Sequence, residues 1–193
     1  MALLKIIQPD NPILTKKAVR VSDFKSNKFQ ELIDDMVETM VAAPGIGLAA
    51  PQVGISQRLI VVRLANESEE DREEYGELAG VVHVVANPKI IKASREMVKG
   101  VEGCLSLPGL LGEVERHKTV IITGLDRHGN DFRIKADGWF ARVFQHEMDH
   151  LDGVLFTDRT EKVWKPEEND TKRGSRREAP KDTVEGHSSE SLS

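Results

Sequence analysis

The sequence predicts an α+β fold, because two amphipathic helices flank a series of short strand patterns joined by turn signals. The first helix is expected from about Lys28 to Ala42, where apolar residues repeat at steps of three and four. The second is expected from Trp139 to Leu151, with Asp137 as its N-cap. Between two strand patterns, the segment 127–130 has the composition of a hairpin turn, which favours antiparallel pairing.

Most of the strands are expected between the two helices. Runs of apolar and β-branched residues bounded by turn-forming residues predict strands at 59–64, 81–86, 89–92, 119–125, 131–135 and 154–156. The first 20 residues are expected to form an extended arm, and the acidic run 66–80 a solvated loop. Asn27 is the expected N-cap of the first helix, with Gln30 reaching back to it.

Length, charge and cysteine content narrow the class of protein. The 193 residues fit one catalytic domain, 1–164, followed by a polar tail, 165–193, which we expect to be disordered. A single cysteine cannot form an internal disulfide, and a thiolate ligand needs a reducing compartment, so a cytoplasmic location is expected. No apolar run reaches the ~18 residues of a membrane span. The formal charge of −5 argues against a specific nucleic-acid binder.

The strongest chemical signal lies in the segment 145–153. His146 and His150 are four residues apart on the predicted helix and therefore lie on one face, where both can reach one metal ion. Glu147 lies beside them and is not needed as a ligand, so it suits a proton acceptor. Such a pair is catalytic if a third protein ligand leaves the fourth position to water.

The third ligand distinguishes several classes of metalloprotein. One zinc-protease class has a third histidine where this chain has Phe156. The acids that follow are poor ligand candidates: Asp152, Asp158 and Glu161. The only cysteine, Cys104, lies between two glycines, where the backbone can bend tightly. A site of Cys104, His146 and His150 is therefore predicted, with a metallopeptidase and a non-catalytic module holding a structural metal as alternatives.

Three blocks of the sequence together resemble the signatures of the peptide deformylase family. They are GIGLAAPQVG at 45–54, EGCLS at 102–106 and QHEMDH at 145–150, in the same order as in the family. The resemblance covers roughly residues 3–160. It implies mainly antiparallel β-sheets around a central helix that carries the His-Glu-x-x-His metal motif, with the first helix packed outside.

The resemblance also implies a reaction. A metal-dependent hydrolase of this family removes the formyl group from the N-terminal formylmethionine of newly synthesised polypeptides and releases formate. Glu147 would transfer the proton, while the Gln52 side-chain amide and the Leu105 backbone N–H would hold the formyl oxygen. The substrate would be bound or supported by residues in or near the three blocks, namely Gly45, Ile46, Gly47, Glu102 and Val143.

The cofactor and partners follow from the same resemblance. The metal is expected to be iron(II), one ion per chain, with nickel(II), cobalt(II) or zinc(II) able to replace it. The ligand set alone would indicate zinc. The expected partners are the N-formylmethionyl nascent peptide and, transiently, the ribosome. We expect a monomer, with no membrane contact and no specific nucleic acid.

Overall fold

The structure has the α+β architecture that the sequence predicts. A computed structural model describes residues 2–43, 45–66 and 68–166. The three α-helices in this part of the chain are α1 (Asn27–Ala42), α2 (Glu69–Tyr75) and α3 (Gly138–Leu151). The strands, in chain order, are β1 (Gly47–Ala49), β2 (Leu59–Arg63), β3 (Val82–Ala93), β4 (Met97–Cys104), β5 (Leu107–His117), β6 (Thr119–Leu125), β7 (Asp131–Asp137) and β8 (Val163–Trp164). Short 3₁₀ helices cover Ala50–Val53, Gly76–Leu78 and Phe156–Asp158.

The strands form two antiparallel sheets. A five-stranded sheet has the order β1-β2-β3-β6-β7, and a three-stranded sheet has the order β4-β5-β8. Helix α3 contacts both sheets, touching β1, β2, β6 and β7 of the first and β5 of the second. The expected central helix is therefore present. None of the described helices is long and apolar enough to cross a membrane.

The alternation of side chains along β2 explains why the five-stranded sheet is covered on both faces around this strand. Ile60 and Val62 point into one apolar cluster with Phe140 and Phe144 of α3. Leu59, Val61 and their neighbours point into a second cluster with the methionine-containing stripe of α1. Because successive residues of a strand face opposite sides, one short apolar run serves both cores. Helix α1 therefore packs outside the sheet, and α3 packs between the two sheets.

The acidic run after β2 is not a plain loop, because part of it forms helix α2. Ser68 is the N-cap: its hydroxyl accepts a hydrogen bond from the Asp71 N–H at 3.0 Å, and the Asp71 carboxylate accepts one from the Ser68 N–H at 3.1 Å. Acidic residues in a first turn also interact favourably with the helix dipole. The charges that suggested a loop are therefore stabilising at this helix terminus.

Three further local predictions are wrong. The strands expected separately at 81–86 and 89–92 form one strand, β3, with a register shift between Ala86 and Lys89. The segment 154–156 does not form a strand, and the last strand of the described chain is β8, which pairs with β5. Ser26 rather than Asn27 occupies the N-cap position of α1. The Gln30 amide donates instead to the carbonyls of Phe24 and Arg127, at 2.9 and 2.8 Å, and so ties α1 to the turn between β6 and β7. Of the tail expected at 165–193, residues 167–193 lie outside the described residues.

The stability of this core is expected to depend on pH through His83. Its ring lies on β3 among Phe132, Phe140 and Phe144, and burial lowers its pKa. The unfolded chain has the ordinary histidine pKa of about 6.5, so it binds more protons than the folded chain as the pH falls below that value. Folding stability should therefore decrease between about pH 6.5 and the lowered pKa.

Urea unfolding of a His83→Leu variant measures this contribution. We expect a weaker loss of stability between neutral and mildly acidic pH than in the parent protein. The matched control is His128→Leu, because His128 is exposed in the turn between β6 and β7. If the two variants show the same pH dependence, burial of His83 does not cause the effect.

Candidate metal centre and active site

Three potential metal ligands meet between the two sheets. Cys104 ends β4, and His146 and His150 lie one turn apart on α3. One ligand atom from each lies within 4.8 Å of the other two, and the Cys104 Sγ is 3.3 Å from the His150 Nε2. Ligands at tetrahedral positions on one ion are about 3.3–3.6 Å apart, given metal–ligand bonds of about 2.0–2.3 Å. The donors present therefore fit a single divalent metal ion.

Glu102 orients the first histidine. Its Oε2 lies 2.9 Å from the His146 Nδ1, so the Nε2 of the same ring is the atom left to bind a metal ion. The Glu102 carboxylate also receives hydrogen bonds from Arg116, at 2.9 Å to each oxygen, and from Arg142 at 2.7 Å. Burial would raise the pKa of Glu102, but the hydrogen bonds from His146 and Arg116 hold it well below its usual range. A carboxylate bonded to the remote nitrogen is the usual support of a metal-binding histidine.

The charged network continues beyond the sequence-predicted residues. Arg116 of β5 also donates to Asp149 of α3 at 2.5 Å, and Arg159 binds the other oxygen of Asp149 at 2.5 Å. Sequence reasoning missed Arg116, Asp149 and Arg159 as members of this network. A signal was available, because Asp149 is adjacent to His150 on a helix expected to be central, and a buried charge requires a partner.

Glu147 lies on α3 beside the three donors and is almost completely buried. Its Oε2 has no hydrogen-bond partner among the described residues. Burial raises the pKa of Glu147 to about 7, although the charge of His146 acts in the opposite direction. Burial also lowers the pKa of His150 well below its usual value, which favours the neutral ring that a metal ligand must be. A carboxylate with this pKa can both accept and donate a proton near neutral pH.

Gln52 faces the same site from the 3₁₀ helix after β1. Its Oε1 accepts a hydrogen bond from the Ala49 N–H at 2.8 Å, which fixes the orientation of the amide. The Nε2 is consequently directed toward Cys104 Sγ at 3.4 Å and Ser106 Oγ at 3.5 Å. Leu105 follows Cys104 in the turn between β4 and β5, so its backbone N–H lies one peptide from the thiol.

A pocket of about 440 Å³ opens beside these groups. Every residue predicted to bind or support the substrate lines it: Gly45, Ile46, Gly47, Glu102 and Val143. Sequence reasoning missed several further lining residues, chiefly Trp139 of α3, Leu107–Leu111 at the start of β5, and Pro166. The apolar side chains of Ile46, Val143 and Trp139 give the pocket a wall suited to an apolar side chain.

Phe156 occupies the position at which a zinc protease would place its third histidine. Its ring is buried in the cluster under β5 and stacks on the His146 ring at a centroid distance of 6.3 Å. Phe156 therefore packs against His146, a candidate ligand, and has no ligand atom of its own to offer a metal. The cysteine takes the third place in the donor set.

The fold and the site together define a class, that of a metal-dependent hydrolase with a helix-borne His-Glu-x-x-His pair and a strand-borne cysteine. The family model described as polypeptide deformylase matches residues 3–165. The chain belongs to the peptide deformylase family, whose members remove the N-terminal formyl group from nascent polypeptides. The sequence-based interpretation as an enzyme of this family is therefore confirmed.

Individual relatives and solved structures agree with this result. The chain is 48% identical over 159 residues to a peptide deformylase of Symbiobacterium thermophilum, covering 82% of this chain and 67% of that protein. A peptide deformylase of Natranaerobius thermophilus is 41% identical and is matched over 99% of its length, against 88% of this chain. A crystal structure from Ehrlichia chaffeensis has a TM-score of 0.74 and 40% identity, covering 82% of this chain and 88% of that one. The structure of a class I type b peptide deformylase of Acinetobacter baumannii with bound Met-Ala-Ser has a TM-score of 0.73 and 37% identity. The match covers 82% of this chain and 99% of that one.

Proposed function

We propose that deformylation takes place at the site formed by Cys104, His146, His150, Glu147 and Gln52. One observation carries this proposal: three converging ligand atoms lie beside a buried carboxylate and an amide donor that face the same pocket. A structural metal site would normally be closed by four protein ligands. Among the described residues only three ligand atoms converge, and Glu147 remains available for chemistry.

The proposed cofactor is one iron(II) ion per chain, held by Cys104, His146 and His150. Nickel(II), cobalt(II) or zinc(II) could occupy the same donor set, since thiolate and imidazole bind all of these ions. When bound, the ion supplies Lewis acidity that lowers the pKa of water and polarises the scissile carbonyl. The thiolate also makes the loaded enzyme sensitive to oxidation, because Cys104 can itself be oxidised.

Glu147 is the proposed proton carrier. Its carboxylate takes the proton of the attacking water and later returns it to the nitrogen of the departing methionyl amine. The raised pKa of about 7 suits both steps, because the group exchanges its proton readily near neutral pH. Burial excludes bulk water that would compete for the same proton.

The formyl oxygen is proposed to lie between the Gln52 Nε2 and the Leu105 backbone N–H. The Ala49 N–H binds the other end of the Gln52 amide, so the donor end cannot rotate away without breaking that bond. A donor held in place before the reaction stabilises the negative charge that develops on the oxygen. Loss of one such donor typically costs about 10²- to 10³-fold in rate.

The peptide itself is proposed to bind along β1. This strand is at the edge of its sheet, so the backbone of Gly45–Gly47 can pair with an extended chain without reading its sequence. The methionine side chain would enter the pocket beside Ile46 and Val143. The tripeptide bound to the relative from Acinetobacter baumannii also begins with methionine, which supports this placement. Glu102 would act on the substrate only indirectly, by holding His146.

The substrate implies the cellular setting. A formylated nascent chain is available only during or soon after synthesis, so we propose that the enzyme works in the cytoplasm and approaches the ribosome transiently. We further propose that it acts as a monomer, because the donor set comes from one chain. Residues 1–164 would form the catalytic domain, and 165–193 a polar tail.

Gly47 offers a specific test of where Glu147 must lie. A Cβ added at Gly47 would be 2.4 Å from the Glu147 Oε1, which is too close for any side chain to be accommodated without movement. In a Gly47→Ala variant we expect the carboxylate to be displaced and kcat to fall by up to the 10²- to 10⁴-fold that acid–base catalysis contributes. Steady-state kinetics with a formyl-methionyl peptide measures this loss.

A double variant distinguishes displacement of Glu147 from a general effect on β1. Glu147→Ala removes the three side-chain atoms nearest the added Cβ, and with them the clash, so Gly47→Ala should add little to the loss caused by Glu147→Ala alone. Additive losses would show that the added methyl group acts elsewhere, for instance on the pairing of the peptide with β1.

The experiment that tests the proposed function is formate release from a formyl-methionyl tripeptide. Protein prepared without oxygen should release formate rapidly with iron(II) or nickel(II), and should lose this activity after chelation and recover it with metal. The same tripeptide without its formyl group should not be cleaved. No release from folded, fully metallated protein would contradict the proposal, and cleavage of the unformylated peptide would favour a metallopeptidase.

A further inference from the structure

The outer face of strands β3, β6 and β7 carries four cationic side chains in two rows. Lys89 is paired with Thr123, which is paired with Arg133, and Lys92 is paired with Ile121, which is paired with Lys135. Directly paired residues of an antiparallel sheet point to the same side. We call Lys89, Lys92, Arg133 and Lys135 the basic face.

The other side of the same strands is buried. Val120, Ile122 and Ala136 alternate with the residues of the two rows and pack with Phe140 and Phe144 of α3. The basic face is therefore turned away from the helix that carries His146 and His150. A partner on this face would not cover the catalytic groups on α3.

The four cations are available for a partner. All four side chains are exposed, and within the described part of the chain none lies within ion-pair distance of a carboxylate. Asp131 and Asp137 lie at the two ends of β7, on the same side as Arg133 and Lys135 but beyond the two rows, and Asp137 accepts a hydrogen bond from the Thr119 hydroxyl. The concentration of positive charge is notable in a chain whose formal charge is −5.

We propose that the basic face binds the phosphate backbone of RNA, independently of base sequence. Backbone positions in the two rows are about 10 Å apart across the strands and about 7 Å apart along them, so up to four phosphates can be contacted at once. In the described part of the chain the four cations lie on the strands β3 and β7, and not on a helix that could enter a groove and read bases. Phosphate contacts carry no sequence information. This agrees with the expectation that no specific nucleic acid is bound.

The place where the proposed substrate is made favours RNA over other polyanions as the partner of the basic face. The proposal rests on the proposed approach of the enzyme to the ribosome, where the nascent chain is surrounded by RNA. Electrostatic contacts of this kind raise the local concentration of an enzyme and speed its encounter with a target without requiring a tight complex. Anionic lipid and acidic proteins are the competing occupants.

The test compares two variants of equal charge. The first replaces Lys89, Lys92, Arg133 and Lys135 by serine. The matched control replaces four exposed lysines elsewhere, Lys5, Lys16, Lys25 and Lys28, by serine. Both changes remove four positive charges from the metal-loaded, full-length enzyme. Binding is measured by fluorescence anisotropy with a short labelled RNA duplex over a range of salt concentrations, and with vesicles of phosphatidylcholine containing phosphatidylserine.

The parent enzyme and the control variant should bind the duplex with an affinity that falls about 50- to 150-fold between roughly 50 and 200 mM salt, as four phosphate contacts predict. The variant of the basic face should lose most of this salt-dependent binding. Both variants should deformylate a free tripeptide at the parent rate, which shows that they are folded and separates this proposal from the proposed function.

Three results would overturn the proposal. Equal loss of binding in the two variants would show that overall charge, not this face, attracts RNA. No binding of the duplex by the parent enzyme at low salt would also exclude it. Binding of the vesicles through this face, without binding of the duplex, would assign the face to anionic lipid.

Discussion

Replacing Glu147 by glutamine is expected to reduce kcat for deformylation by about 10²- to 10⁴-fold while leaving KM nearly unchanged. Glutamine has almost the same shape as glutamate, so α3 should retain its packing and the three donors their positions. It cannot accept the proton of the attacking water. The loss should therefore appear in the chemical step, which single-turnover formate release measures directly.

The control for this experiment is Met148→Leu, a volume-conserving change one residue along the same helix. It should keep kcat within a small factor of the parent value, and both variants should contain one metal ion per chain. If the glutamine variant retains near-parent activity with a full complement of metal, another group carries the proton and the proposed role of Glu147 is wrong.

Replacing Glu102 by glutamine is expected to destabilise the protein by about 3–5 kcal/mol, because the change leaves the buried Arg142 without its anion and removes one of the two anions of the buried Arg116. Glu102 is 3% exposed and joins Arg116, Arg142 and His146. The substitution removes a full negative charge between two guanidinium groups that cannot reach solvent. Metal affinity should also fall by about 10- to 100-fold, since the His146 ring loses the carboxylate that orients it.

Urea unfolding and a metal-binding titration measure the two effects of Glu102→Gln. The matched control is Glu113→Gln, which removes an exposed carboxylate bonded to Lys162 at 3.0 Å. Exposed pairs of this kind typically contribute at most about 1 kcal/mol, so the control should unfold almost as the parent does. Equal stability of the two variants would show that the network around Glu102 adds little to the folded state.

Local sequence patterns predicted some elements well. The observed helices α1 and α3 and the hairpin of β6 and β7 agree with the expected spans within a few residues. Their signals are the apolar repeat along each helix and the turn residues between the strands, and all of these act between near neighbours in the chain. Helix α2 was missed because its capping box was hidden among acids that looked like a solvated loop.

The long hairpin of β4 and β5 was not predicted, because glycine is rare in strands and both segments contain it. The glycines have a tertiary reason. A Cβ at Gly100 would lie 2.8 Å from the guanidinium carbon of Arg142, and one at Gly112 would lie 2.7 Å from the Phe156 ring. These strands therefore make room for side chains that belong to other elements, and local propensity does not contain that information.

The sequence by itself determined the kind of chemistry. The four-residue spacing of His146 and His150, the single cysteine and the order of three motif blocks were sufficient to indicate a metal site and a family, because helix periodicity and ligand type are local properties. Only the tertiary structure decided how the site is held. Cys104 and His150 are 46 residues apart in sequence, yet the Sγ and Nε2 atoms are 3.3 Å apart. Arg116 joins Glu102 to Asp149, which lies 33 residues after Arg116 in the chain. Such contacts depend on how the two sheets enclose α3, and burial there makes partners for these charges obligatory.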